Sequence, residues 1–83
     1  MALSTRKKRL KFRCWHRGSR ESDLLLGTFA DRYLDDMCSA DIVELEAIVD
    51  CDDQIIWDWL TGAAEVPEGI SKEIIHNLQS IFS

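Results

Sequence analysis

From Leu25 to Met37 the apolar residues fall in pairs four positions apart: Leu25-Leu26, Phe29-Ala30, Tyr33-Leu34, and then Met37. In a strand the two members of each pair point to opposite faces, whereas in a helix all of them share one broad face. The stripe therefore demands a helix with its apolar side buried. No other stretch alternates with period two over the length of a strand, and no Asn-Gly or Asp-Gly hairpin turn occurs. The chain is read as all-α.

The punctuation around this stripe predicts the remaining elements. A first helix is expected from about Thr5 to Arg17, packing through Leu10, Cys14 and one aromatic, with Arg6-Lys7-Lys8-Arg9 as a frayed, solvated end. Gly18 follows as a residue that accepts positive φ, and Ser19 as an N-cap. Glu21 and Asp23 then fall in or near the first turn of the second helix, which is expected to reach about Asp36. Gly27 lies inside that helix at a cost of about 1 kcal/mol relative to Ala, and a close helix crossing is one reason a chain would accept it.

Ser39 is placed as the cap of a third helix with Ile42, Leu45, Ile48 and Val49 inward. Asp50-Cys51-Asp52-Asp53 interrupts it, and Asp52 or Asp53 caps a fourth helix that buries Ile56, Trp59 and Leu60 and ends at Gly62. Ser71 opens the last helix, with Ile70 and Ile75 as a staple across the cap. Its buried side continues through Ile74, Leu78, Ile81 and Phe82. The expectation is one domain over residues 1–83, an all-α bundle of about five short helices, with residues 1–9 a flexible basic end. A chain this short buries only about 60–65% of its unfolded surface, which leaves no room for a deep enclosed active site.

Charge is segregated along the chain. Eight of the ten Lys and Arg lie at or before Arg20, and all fifteen Asp and Glu lie at or after Glu21. Blocks of this kind are read as electrostatic footprints for partners. Three Cys without a Cys-x-x-Cys pair fit reduced thiols rather than a secreted disulfide framework. Cys14 and His16 match no common zinc spacing, so no metal site is assigned. No apolar run approaches the roughly 20 residues that span a bilayer. The basic, acid-free beginning superficially resembles a transit peptide, but its removal would take away the first helix. A bacterial cytoplasmic protein is therefore the simpler expectation, ahead of a mitochondrial matrix one.

The catalytic inventory is thin. There is no Gly-rich phosphate cradle, and no Ser-His-Asp arrangement can be assigned. Paired acids such as Asp35-Asp36 and Asp52-Asp53 are explained by helix ends and caps, and His76 falls on the polar side of the last helix. Of the three Trp, Trp59 is read as core and Trp57 as partly exposed. Trp15, among Arg13, His16 and Arg17, either packs under Arg stems or stacks on a base or a flavin, with packing favoured. The residues around Arg17-Gly18-Ser19-Arg20-Glu21 satisfy local capping rules. Those rules do not explain why two Arg, a Gly and a Glu are concentrated beside Trp15 and His16.

Arg17-Gly18-x-x-Glu21 resembles the Arg-Gly-x-x-Glu signature of the SdhE-type succinate dehydrogenase assembly factors. The resemblance extends through Asp23-Leu24, Phe29 and Tyr33 to Cys51-Asp52-Asp53 and Trp59-Leu60, about Arg13 to Leu60 in all. Gln54, where relatives often have Pro, and His16, where a further Arg is common, depart from it. The resemblance implies a five-helix protein, not itself an enzyme, that binds the flavoprotein subunit of succinate dehydrogenase and promotes covalent attachment of FAD to a His of that partner. A fumarate reductase flavoprotein is a second candidate client. FAD then belongs to the partner, and no residue here is assigned to hold it. The implied partner-binding residues are Arg17, Gly18 and Glu21, with Arg20, His16 and Trp15 beside them and Asp52 in the later block.

The alternative reading is an interaction module using the basic first helix, binding nucleic acid or acting as an antitoxin-like partner. Eight cations with Phe12 and Trp15 among them would suit phosphates and bases. The acidic remainder and the lack of a recognition helix weigh against nucleic acid, and no membrane insertion is expected.

Overall fold

Phe29, in the middle of the paired stripe, is wholly buried, and the core collects around it. The computed structural model describes residues 3–82. It contains α1 (Leu3–Trp15), α2 (Arg20–Tyr33), α3 (Ser39–Val49), α4 (Asp53–Thr61) and α5 (Lys72–Phe82), with a 3₁₀ turn at Leu34–Asp36 between α2 and α3. No strand occurs among the described residues. α1 packs on α2 and α3, α2 also on α5, and α4 on α5. The stripe residues Leu25, Leu26, Phe29, Ala30 and Leu34 are buried, whereas Tyr33 and Met37 lie partly buried at its edge. Leu10 and Cys14 of α1, Ile42, Leu45, Ile48 and Val49 of α3, Ile56, Trp59 and Leu60 of α4, and Ile74, Ile75 and Leu78 of α5 complete the core.

The caps follow local chemistry, with one shift. Ser19 is extended, at φ −130° and ψ 147°, and its hydroxyl accepts from the Ser22 amide at 3.2 Å. The Ser71 hydroxyl likewise accepts from the Ile74 amide at 3.2 Å. Gly62, the C-cap of α4, has φ +82°, as its position after the last apolar residue suggested. In α3 the cap falls on Cys38 rather than Ser39, because Asp41 reaches back to accept from the Cys38 amide at 3.4 Å. Asp52 is the N-cap of α4 by backbone position, without a side-chain capping bond.

Three expectations are corrected by packing. α1 starts at Leu3, and its first turns are tied to the fold rather than frayed, although Lys8 and Arg9 stay exposed: Arg6 pairs with Glu46 of α3, and Lys7 Nζ donates to the Asp35 carbonyl at 2.7 Å. Residues 1 and 2 lie outside the described residues. At its other end α1 stops at Trp15 rather than Arg17, because the Arg17 amide donates to the Asp23 carboxylate instead of a helical carbonyl. Phe82 is 52% exposed rather than buried and meets the Trp57 ring edge-on, 5.1 Å between centroids.

Charge segregation also has an internal use. Besides Arg6–Glu46, Arg13 pairs with Asp50 and Arg17 with Asp53, so the basic segment is held by α3, the turn after it and the start of α4. Lys11 pairs with Asp31 of α2 at 3.1 Å. The blocks read as footprints for partners are in good part complementary to each other.

Candidate functional site

The chain reverses between α1 and α2 through His16-Arg17-Gly18-Ser19, and what holds this corner is its own side chains. Arg17 is the pin. Its guanidinium, 11% exposed, donates from Nε to Asp53 Oδ1 at 2.9 Å and from Nη2 to the Cys51 carbonyl at 2.6 Å. Nη1 donates to the Val49 carbonyl. The Val49 carbonyl belongs to the end of α3, where a helix leaves its last carbonyls unpaired and its dipole favours a cation, and the Cys51 carbonyl to the turn just after it. One Arg thus satisfies a helix end and a carboxylate together. Its guanidinium, expected to reach a partner, is engaged within the chain.

Gly18 then turns the backbone at φ +103°, where an L side chain is strained, and a Cβ there would meet no atom within 4 Å. The space above it is open. Trp15 is anchored on the inner side of the same corner. A Cβ on Gly27 would come within 2.1 Å of the Trp15 ring, so Gly27 exists to seat this indole. The close helix crossing offered as a reason for Gly27 is that of α1 over α2, and the atoms nearest to Gly27 there are those of the Trp15 ring. The indole N–H lies 3.4 Å from Asp31 Oδ1, and Lys11 donates to the same carboxylate. The Lys11 hydrogen bond first, and the Trp15 one less so, hold the Asp31 carboxyl below its ordinary range. Beneath the corner, burial pushes the Cys14 thiol up to about 11 despite the nearby Arg17 and Arg13. Cys14 is thus an inert core thiol at neutral pH.

His16 is exposed, stacked on Phe12 at 3.9 Å between centroids, and its Nδ1 lies 2.7 Å from the Phe12 carbonyl. Arg20 is exposed and makes no ion pair among the described residues. Glu21 is exposed one position further on.

These residues are brought to one end of the molecule but face three surface basins. His16 and Arg17 line a polar basin with Arg13, Asp50, Asp52 and Asp53. Trp15, His16, Gly18 and Arg20 line a second, open basin with Asp23 and Leu24. Glu21 belongs to a third, apolar groove with Leu24, Trp57 and Phe82. Asp52, 35 positions from Arg17, is therefore joined to the corner by Arg17's grip on the α3–α4 turn, whereas Glu21 looks away from it.

Four residues that the structure makes central were not singled out as site residues. Asp23 holds the Arg17 amide, Asp53 holds its guanidinium, and the buried Ser22 accepts from Trp57 Nε1 at 3.0 Å. Leu24 is 49% exposed between two of the basins. Its signal was available: of three consecutive Leu in a helix, one must leave a two-residue-wide stripe. The other three depend on partners more than thirty positions away or on a loop conformation, and no local spacing announces them.

A separate concave patch joins Tyr33, Met37 and Ile74 to Asp36, Asp41, Glu44 and Glu73. Among the described residues no group of three or more His, Cys, Asp and Glu is arranged to hold a metal ion, and no helix is long and apolar enough to cross a membrane. Of the eight early cations, Arg6, Lys11, Arg13 and Arg17 are each paired with a carboxylate.

The family model described as flavinator of succinate dehydrogenase matches residues 8–82. The FAD assembly factor SdhE of Acetobacter pasteurianus is 39% identical over 66 residues, covering 80% of this chain and 61% of its own. Succinate dehydrogenase assembly factor 2-B, mitochondrial, of Drosophila mojavensis is 35% identical over 79 residues, 93% of this chain and 50% of its own. Succinate dehydrogenase assembly factor 2, mitochondrial, of Penicillium rubens is 44% identical over 69 residues, 83% of this chain but 22% of its own. The chain thus spans about half the length of the first relatives it matches. With a five-helix fold and the Arg17-Gly18-x-x-Glu21 motif spanning the turn into α2, the chain belongs to the family of flavinators of succinate dehydrogenase.

Proposed function

We propose that this protein binds the flavoprotein subunit of succinate dehydrogenase before its flavin is attached and promotes covalent attachment of FAD. The observation that carries this reading is the family match over residues 8–82, which takes in the whole corner. Its relatives are named as assembly factors, and the corner supplies what a docking protein needs. Gly18 leaves open space for a partner's backbone, and Arg20 offers a cation with no ion-pair partner among the described residues. Arg17 and Asp23 hold the loop in one conformation, so little ordering entropy opposes docking.

In this reading the factor is not an enzyme and does not keep FAD. The flavin and the His that bonds to it belong to the partner, and the factor biases that partner toward a geometry in which the His meets the isoalloxazine methyl group. Orientation alone lowers a barrier by up to roughly 7–11 kcal/mol in ideal cases. A fumarate reductase flavoprotein is a second client, and a reducing bacterial cytoplasm is the compartment that suits three free thiols.

The test is covalent flavin on the succinate dehydrogenase flavoprotein, read by in-gel fluorescence in the native host with and without this gene. The fluorescent band is expected to fade on deletion and to return with the wild-type chain. Arg20→Glu, exposed and outside the fold's ion pairs, is expected to restore it poorly at normal helical content. Equal covalent flavin with and without the gene would refute the reading.

A further inference from the structure

We propose that the surface facing the flavoprotein runs beyond the corner, along α2, into the groove between α2, α4 and α5. There it takes an apolar segment of the flavoprotein that carries a cation at one end and an anion at the other. This rests on the reading that the flavoprotein is the partner.

The groove is continuous with the corner, because Leu24 lines both it and the basin over Gly18. The signature's last residue, Glu21, lies in the groove and not at the corner. The groove leaves large apolar side chains uncovered together: Leu24 is 49% exposed and Phe82 52%, with Trp57 half-buried between their helices. Contiguous apolar exposure on a small domain marks a contact surface.

The groove is also stiff. The Trp57 indole is tied by its N–H to the buried Ser22 hydroxyl at 3.0 Å and braced edge-on by Phe82. A fixed aromatic flanked by aliphatic side chains is the pattern of an anchor site.

The charges at its ends select the occupant. Glu21 and Arg32 both line the groove, both are exposed, and neither is in an ion pair among the described residues. They stand eleven positions apart on α2, about 16 Å at the helical rise. That length accommodates about three helical turns or five extended residues. A segment with a Lys or Arg toward Glu21 and an Asp or Glu toward Arg32 meets complementary charge at both ends, and a reversed one meets like charge.

The experiment measures binding of the purified flavoprotein subunit, supplied with FAD, to the full chain by titration calorimetry. Leu24→Asp is expected to weaken binding about tenfold or more. Arg32→Glu should weaken it a few-fold and lessen its dependence on salt. Helical content should be unchanged for both, since each side chain is exposed. His76→Ala, on the exposed side of α5, should bind as wild type. Should Leu24→Asp lose helicity, Arg32→Glu decides alone. Wild-type affinity in both variants, with binding lost in Arg20→Glu, would overturn the groove while leaving the function standing. No binding by the wild-type chain would overturn the function and the groove with it. Loss of self-association in Leu24→Asp, with flavoprotein binding intact, would make the groove a contact between copies and also overturn the proposal.

Discussion

The seam between α1 and α3 and the corner between α1 and α2 draw on one basic segment and use it in opposite ways. Along the seam, Arg6, Arg13 and Arg17 meet Glu46, Asp50 and Asp53, and the cations are spent on the fold. From Gly18 to Leu24 several groups stand open to solvent: the space over Gly18 is open, Arg20 is unpaired among the described residues, and Leu24 stands half in solvent. Arg17 and Arg20, three positions apart, sit on either side of the divide. A charge boundary in a sequence can therefore be a docking seam for the chain itself, and the residues just past it are the ones left exposed.

Breaking the seam at its most buried point has the largest expected effect. Arg17→Ala leaves Asp53 and the Val49 and Cys51 carbonyls without their donor and should cost about 3 kcal/mol of stability, measured by urea denaturation. Flavinylation would then fall through unfolding, whereas in Arg20→Glu it should fall with stability intact. A loss under about 0.5 kcal/mol in Arg17→Ala would erase the contrast.

Next comes Gly27→Ala. Its methyl would overlap the Trp15 ring, so it should destabilise by about 2 kcal/mol and red-shift the Trp emission as the indole is displaced. Gly18 sharpens the comparison from the other side. Gly18→Ala meets no atom but keeps a φ of +103°, and should cost about 1–2 kcal/mol through backbone strain alone, with Asn costing less than Ala. Equal losses for Ala and Asn would point to a cause other than strain.

Arg13→Ala removes a pair in which both side chains are well exposed, and should cost roughly 0.2–1 kcal/mol at low salt and less at high salt.

The smallest effect is on pH dependence. Cys14 titrates near its ordinary 9.0 when unfolded and about 11 when buried, so the unfolded chain loses its proton first. Stability should be fully held below about pH 9 and decline from there through about pH 11. Cys14→Ala should flatten that alkaline slope. Thiol reagents should modify the exposed Cys38 first and Cys14 only on unfolding. On the acid side, the lowered Asp31 contributes stability that is present above the ordinary carboxylate range and is lost as pH falls through its depressed value.

What the sequence by itself determined was local. The paired stripe made α2 a helix, Ser19 and Ser71 capped, and Gly18 and Gly62 turned. Each of these interactions closes within about four positions, so spacing and side-chain chemistry specify it. The Arg-Gly-x-x-Glu resemblance pointed to the family before any coordinates, and the place of the corner between two helices was legible with it. What only the tertiary structure decided was the use of each residue. Arg17 reads in sequence like a presented cation, yet its partners lie 32, 34 and 36 positions away, and only the docking of α1 on α3 brings them within reach. Trp15 and Gly27 explain each other only once α1 lies on α2. Phe82 has the period of a core residue but stands at the end of a helix where no neighbouring element covers it fully. Glu21 and Gly18, neighbours in one motif, face different basins because the turn at Gly18 sends the chain into a helix that points them apart. Local rules specify where helices begin and end; which faces meet follows from packing all five apolar faces into one core.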